Sequence, residues 1–162
     1  MKAWKFIVFF GEKSFEKAES KLLKTCIENL LTKVPTDKQS IDYIFAGDLL
    51  NQCISSSFGL RDENIPFFGV FGACSTFVES MSLGAIAVEG FANNVLCATS
   101  SHFCSAEKQF RFPVEYGAVR KRVNTCTASG SVGVILNNKN YKITTDGNIT
   151  LPVYIVKNGT LI

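Results

Sequence analysis

The 162-residue chain has no Cys-x-x-Cys pair, a single histidine, and no apolar run near the ~20 residues a membrane-spanning helix requires. Each absence excludes a class of chemistry. Its six cysteines, at positions 26, 53, 74, 97, 104 and 126, fit neither a stapled secreted scaffold nor a paired redox motif, and they read as reduced thiols. Zinc on Cys97, His102 and Cys104 is disfavoured, since the spacing matches no common zinc module and a fourth ligand is lacking. No metal site and no cofactor is expected. Glu107 and Glu115 have no carboxylate partner at a recognisable spacing, so an acid/base pair is not supported. The opening "MKAWKFIVFF" runs straight into "GEKSFEKAESK" without a small-residue cleavage site, which argues against a signal peptide. A net charge of +3, from 17 basic and 14 acidic residues, is too mild to imply nucleic acid.

What the chain does have is a 46% hydrophobic content, enough to bury one sizeable core in one domain over residues 1–162. Lys5–Phe10 reads as a strand. Ser14 is placed to cap a helix in which Phe15, Ala18, Leu22, Leu23, Cys26, Ile27, Leu30 and Leu31 share one face. "IDYIFAG" is a second strand, "DLLNQCISSSFGL" a short helix opened by Asp48, and "IPFFGVFG" a third strand. Ser75–Phe91 follows as a helix whose only charges are Glu79 and Glu89, a composition that predicts packing around most of its circumference. Asn94–Ser101 is a strand, His102–Asn124 a long loop, and the remainder three strands joined by Asn/Gly/Asp turns. This alternation predicts an α/β layer with a mostly parallel mixed sheet and a β-rich C-terminal end.

Ligands in such sheets sit outside the carboxyl ends of the strands. That rule selects "AGDLLNQ", "GACST" and "TSSH", three loops expected to converge on one mouth. Cys74 stands at a predicted helix start, where free amides and the dipole favour a thiolate. A buried small hydrophobe is the common fate of such a cysteine, and on the motif alone both readings stand. Cys26, Cys53, Cys97, Cys104 and Cys126 read as structural. Any imidazole chemistry must pass through His102, although a lone loop histidine is more often simply a polar surface residue. Asp48 reads first as a helix cap and Asn51 as a residue one turn later. Arg111, flanked by Phe110 and Phe112, is the best carboxylate fork, whereas Arg120, Lys121 and Arg122 read as a solvated turn.

Several linked motifs, "IFAGDLLNQ", "FGACSTFVESMSLGAIAVEGFANNVLCATSSH" and "SAEKQFRFPVEYG", resemble the stage V sporulation protein AD family of endospore formers. The resemblance runs in register through about residues 12–118. It implies a thiolase-like fold of two similar α/β halves around paired central helices, with the nucleophile position at Cys74. It also implies a non-enzymatic role in binding dipicolinic acid, with or without calcium, and in its passage into the spore. The implied setting is peripheral, at the spore inner membrane on the forespore side, beside integral-membrane partners.

A flat pyridine dicarboxylate needs donors and an apolar slot, and Cys74, Ser75, Asn51, Asp48, His102 and Arg111 are the expected lining. The rival expectation is a ketosynthase-type acyl transferase with Cys74 as nucleophile. The chain departs from the family in its shorter beginning, in "YGAVRKRVNTCTASGSVGVIL" and in its tail, and no second half is seen. A truncated half-fold of this kind leaves one face of its central helix open, so self-association, or a need for a complementary half, is expected.

Overall fold

A computed structural model describes residues 9–50, 53–105 and 129–138, together with the backbone of four two-residue strand pieces between residues 142 and 161. The first helix, α1, spans Phe15–Lys33. Ser14 caps it by accepting from the Lys17 amide at 3.3 Å, and Val34 ends it ahead of Pro35, whose ring disfavours a helical residue before it. Ala18, Leu23, Cys26, Ile27 and Leu30 are buried, while Glu16, Lys17, Lys21 and Glu28 stay in water. The expected periodicity is therefore the observed one. Of the strand expected at Lys5–Phe10, only Phe9 and Phe10 fall among the described residues; there the chain turns, with Phe10 at φ 49°.

Strand β1 (Tyr43–Gly47) lies between β2 (Phe67–Gly69) and β3 (Asn94–Ser101), parallel to both. Strand β4 (Gly130–Asn137) runs antiparallel to β3 over its whole length. The β-rich end appears as short pieces: β5 (Lys142–Ile143) pairs with β6 (Ile149–Thr150), and β7 (Val156–Lys157) and β8 (Thr160–Leu161) extend the main sheet beyond β4. The main sheet is thus mixed, in the order β2-β1-β3-β4-β7-β8, with its parallel part at the β1 end.

Successive residues of a strand point to opposite faces, and here each face has its own core. Ile44, Ala46, Leu96, Ala98 and Ile135 pack under α1 with Leu23, Ile27 and Leu30. Phe45, Val95, Cys97, Val134 and Leu136 pack under a second long helix, α3 (Thr76–Gly90), with Ala87 and Val88. The short helix α2 (Ile54–Leu60) packs against α1.

Helix α3 crosses the sheet at Gly84, where an added Cβ would lie 2.5 Å from Cys97 Sγ and 3.1 Å from Leu136 Cδ1. Its sheet-facing residues Thr76, Ser80, Gly84, Ala87 and Val88 are buried. The opposite side is open, with Val78 and Ile86 each about two-thirds exposed, at 65% and 66%. All-round burial of this helix is not realised, because the described residues place nothing over its outer side. The Gly84 crossing generates a prediction. Gly84→Val drives a branched side chain into Cys97 and Leu136, an overpacking cost of about 3 kcal/mol that a urea unfolding midpoint will record.

Candidate functional site

Parallel pairing brings the carboxyl ends of β1, β2 and β3 to one edge of the sheet, as the strand order requires. The side chains there are nevertheless divided by the sheet. The turn after β2 reaches Ala73–Ser75, a single 3₁₀ turn that runs directly into α3. It sits tight on β1 because Gly47 has no side chain: a Cβ there would collide with the Val70 carbonyl oxygen and lie 2.7 Å from Thr76 Cγ2. Within the turn, the Gly72 amide donates to Thr76 Oγ1 at 3.1 Å, and that hydroxyl donates to the Ala73 carbonyl at 2.9 Å. Ser75 Oγ donates to the Gly72 carbonyl at 2.6 Å. Ala73 is held at φ 50°, a left-handed conformation that costs a non-glycine residue about 1–2 kcal/mol.

This geometry presents Cys74 and Ser75 to solvent at the α3 side of the sheet. Ser75 makes no side-chain capping bond; its amide instead donates to the Gly72 carbonyl at 2.9 Å and the Thr76 amide to the Ala73 carbonyl, so the 3₁₀ turn itself takes up these amides. Glu79 lies in that first turn, and its carboxylate folds back so that Oε2 is 2.5 Å from the place a Gly72 Cβ would occupy. The sequence reading passed over Glu79; its position four residues after Ser75 was the available signal.

His102 goes to the other side. It is 1% exposed, stacks on Phe15 of α1 with ring centroids 5.6 Å apart, and accepts the Cys104 amide at Nδ1 at 3.1 Å. Its neighbourhood is continuous with Glu19 of α1, fully buried, whose carboxylate accepts from Ser100 Oγ at 3.3 Å and from Ser105 Oγ. Two residues back along β3, Ser100 has the parity of Leu96 and Ala98, which belong to the α1 core. His102 is therefore a packed core histidine rather than a solvated loop residue, and it is not brought to Cys74. Alternation turns Ser101 to the α3 side instead, where its buried Oγ has no hydrogen-bond partner among the described residues.

Asp48 is also a correction. The helix after β1 begins at Ile54, with Cys53 at the N-cap position in a left-handed conformation, φ 56°. Asp48 caps it from a distance: the buried carboxylate accepts from the Ser56 amide at 2.7 Å, Ser56 Oγ at 2.6 Å and the Leu50 amide at 2.9 Å. All its capacity described here is spent on the fold. Asn51 and Arg111 lie outside the described residues, as do Arg120, Lys121, Arg122, Glu107, Glu115 and Cys126.

The buried thiols are chemically quiet. Burial pushes Cys97 up to about 12, and its thiol donates to the Ser80 carbonyl at 3.2 Å. Burial likewise raises Cys26, and raises Cys53 with a further push from the Asp48 charge. Among the described residues no group of three metal-ligating side chains gathers. An exposed thiol at a helix start can take an electrophile or lie beside a bound anion. It has no imidazole at hand.

A family model described as Stage V sporulation protein AD matches residues 6–151. The Stage V sporulation protein AD of Bacillus subtilis (strain 168) is 42% identical over 128 residues, which is 78% of this chain and 38% of that protein. The chain thus spans well under half the length of that relative. The crystal structure of 3-oxoacyl-(acyl-carrier-protein) synthase III from Aquifex aeolicus VF5 superposes with a TM-score of 0.50 at 15% identity, over 93% of this chain and 55% of its own. A 3-oxoacyl-(acyl-carrier protein) synthase from Burkholderia xenovorans LB400 gives 0.44 at 14% identity, over 77% of this chain and 38% of its own. At such identity the likeness to the Aquifex structure is one of fold, and the architecture is thiolase-like α/β.

The site's two sides generate three predictions. Asp48→Ala strands the buried Ser56 amide and the half-buried Leu50 amide and costs about 3 kcal/mol in urea unfolding, whereas Asp48→Asn keeps an acceptor and costs about 1 kcal/mol. Alkylation of the native chain, read by mass, modifies Cys74 well before Cys26, Cys53 or Cys97. The folded chain retains thiol protons that the unfolded chain releases above its ordinary thiol range. Stability is therefore full below that range and falls as pH rises towards the Cys97 value of about 12. Melting curves in alkaline buffer check this, and Cys97→Ala flattens the dependence.

Proposed function

The chain belongs to the stage V sporulation protein AD family, and from that premise we propose that it serves sporulation by binding dipicolinic acid, taken up with calcium, rather than by acyl transfer. The observation that carries this reading is the separation of Cys74 from His102 across the sheet. An acyl-transfer cysteine needs a base or an imidazole within hydrogen-bond reach, and this one has none from the only histidine in the chain. A binding site needs only what the α3 turn supplies: an exposed serine and cysteine with an apolar wall beside them.

In the proposed site one carboxylate of dipicolinate faces the Ala73–Ser75 turn, next to the exposed Cys74 and Ser75. Phe71, 55% exposed, offers the flat ring an apolar side. Glu79 would repel a bare dianion at that position, and calcium reverses the sign by bridging the two carboxylates, oxygen ligands being its preference. Thr99 and Ser101 place two β3 hydroxyls on the same side of the sheet; Thr99 Oγ1 donates to the Gly47 carbonyl, and Ser101 Oγ has no partner among the described residues. Asp48 and His102 stay out of contact with the ligand and hold the loops in shape.

The proposed setting is peripheral to the spore inner membrane on the forespore side, next to integral-membrane components. Among the described residues no helix is long and apolar enough to cross a membrane, and on this reading those components supply the passage through it.

The exposed sulfur favours a second reading, in which Cys74 attacks an acyl thioester, the acyl carbon–sulfur bond is exchanged, and the thiol proton leaves with the departing thiolate. Calorimetric titration with dipicolinate, with and without calcium, separates the two. Saturable binding is expected, weakened at least tenfold by Cys74→Trp, which fills the slot, and made less dependent on calcium by Glu79→Gln. His102→Asn lowers the melting temperature and leaves the affinity of the folded fraction unchanged. Absence of saturable binding by the folded chain, or a stable acyl adduct on Cys74 after incubation with acyl thioesters, overturns the proposal.

A further inference from the structure

The α1 side of the sheet holds a cavity of about 280 Å³ between α1 and the start of β4. Helical spacing builds one wall, since Leu22, Thr25, Cys26 and Asn29 stand three and four residues apart on α1. Strand alternation builds the second: Ser131, and Ser129 two residues before it, have the parity of Ile135, which belongs to the α1 core. The third wall is the Phe10 ring. A left-handed backbone at Phe10, φ 49°, aims it, and Lys21 Nζ holds the turn by donating to the Phe10 carbonyl at 2.9 Å while pairing with Glu12 at 3.1 Å. The ring also packs edge-on to His102, with centroids 6.5 Å apart.

We propose that this cavity is a binding site for a small uncharged aromatic amide. Size sets the first limit. A cavity of ~150 Å³ takes up benzene, so this one has room for a ring and a short substituent. Charge sets the second. Cys26 is the only ionisable side chain in the lining, and burial holds its thiol protonated. Lys21, next to the Phe10 wall, is engaged by Glu12. A charged ligand would therefore shed water without meeting a counter-charge, which is costly.

The polar groups choose the substituent. The Asn29 carboxamide, half-buried, makes no hydrogen bond among the described residues, and a carboxamide both gives and accepts, so a second amide is its complement. Ser129 Oγ accepts the Phe103 amide at 2.9 Å and keeps its own proton to give. Ser131 Oγ, buried at the floor beside Cys26, is spent on the Thr99 carbonyl at 2.8 Å. Phe10 and Leu22 offer the aromatic ring an apolar side, and Thr25, exposed, stands at the mouth. The cavity lies across the sheet from Cys74, and dipicolinate, a dianion, is excluded from it by the same argument from charge.

Titration of the full chain with benzamide, followed by saturation-transfer NMR, tests this, with benzoate as the charged counterpart of the same shape. Saturable benzamide binding with a dissociation constant of about 1 mM or tighter is expected, unaffected by dipicolinate and at least tenfold weaker for benzoate. Asn29→Leu weakens it at least tenfold with an unchanged circular dichroism spectrum. Should Asn29→Leu fail to fold, the unsubstituted chain decides through Cys26: saturating benzamide slows alkylation of Cys26 at least threefold, read by peptide mass, and leaves the rate at Cys97 unchanged. Absence of saturable binding, equal binding of benzoate, displacement by dipicolinate, or equal protection of Cys26 and Cys97 overturns the proposal.

Discussion

The two-residue alternation along β3 sends Val95, Cys97 and Ser101 to the α3 side of the sheet, and Leu96, Ala98, Ser100 and His102 to the α1 side. Strand β1 obeys the same rule in register with it, Ile44 and Ala46 on one side and Phe45 on the other. Since both faces are buried, a slip of one residue would expose two cores at once, and the register is correspondingly fixed. The division of labour at the strand ends is a consequence. Glu19, Asp48 and His102 are polar groups sealed within structure, while Cys74, Ser75 and Glu79 meet solvent.

Much of this fold can be read from the residues. The heptad-like spacing in α1, the Ser14 cap, the strand "YIFAG" and the strand "NVLCATSS" stand where pattern places them, because each is a local consequence of side-chain periodicity. The family was legible too, through linked motifs around Cys74. Asp48 was harder. A carboxylate six residues ahead of a helix does its capping through tertiary reach, and the left-handed backbone at Cys53 that makes room for it leaves no compositional mark. His102 was harder still, since its burial depends on Phe15 and on the polar neighbours Ser100, Glu19 and Ser105, far apart in sequence.

The cysteines sort by the same logic. The pattern sets Cys74 apart from the other five cysteines, and among the described residues the environment does the same: Cys97 packs against Gly84, Cys26 and Cys53 are desolvated, Cys104 is half-buried, and Cys74 is exposed. Burial that raises a thiol's affinity for its proton withdraws it from nucleophilic chemistry at neutral pH. Among the described residues the sulfur at the α3 turn is therefore the most open to a ligand or a reagent, with Cys104 half-buried. Its turn is kept in shape by Thr76 and by the bare backbone of Gly47, neither of which touches the sulfur.

The contact of Gly84 with Cys97 and Leu136 has a mechanical consequence. Near the middle of α3 the helix backbone rests directly on the side chains of Cys97, Leu136 and Val95 with no side chain of its own between, and interiors this dense resist compression. A rigid rod held at such a fulcrum can rock but not slide. A displacement at the Thr76 end is therefore carried by the rod to the Ala87–Gly90 end, where Ala87 and Val88 are packed, about 22 Å away at the rise of fifteen helical residues.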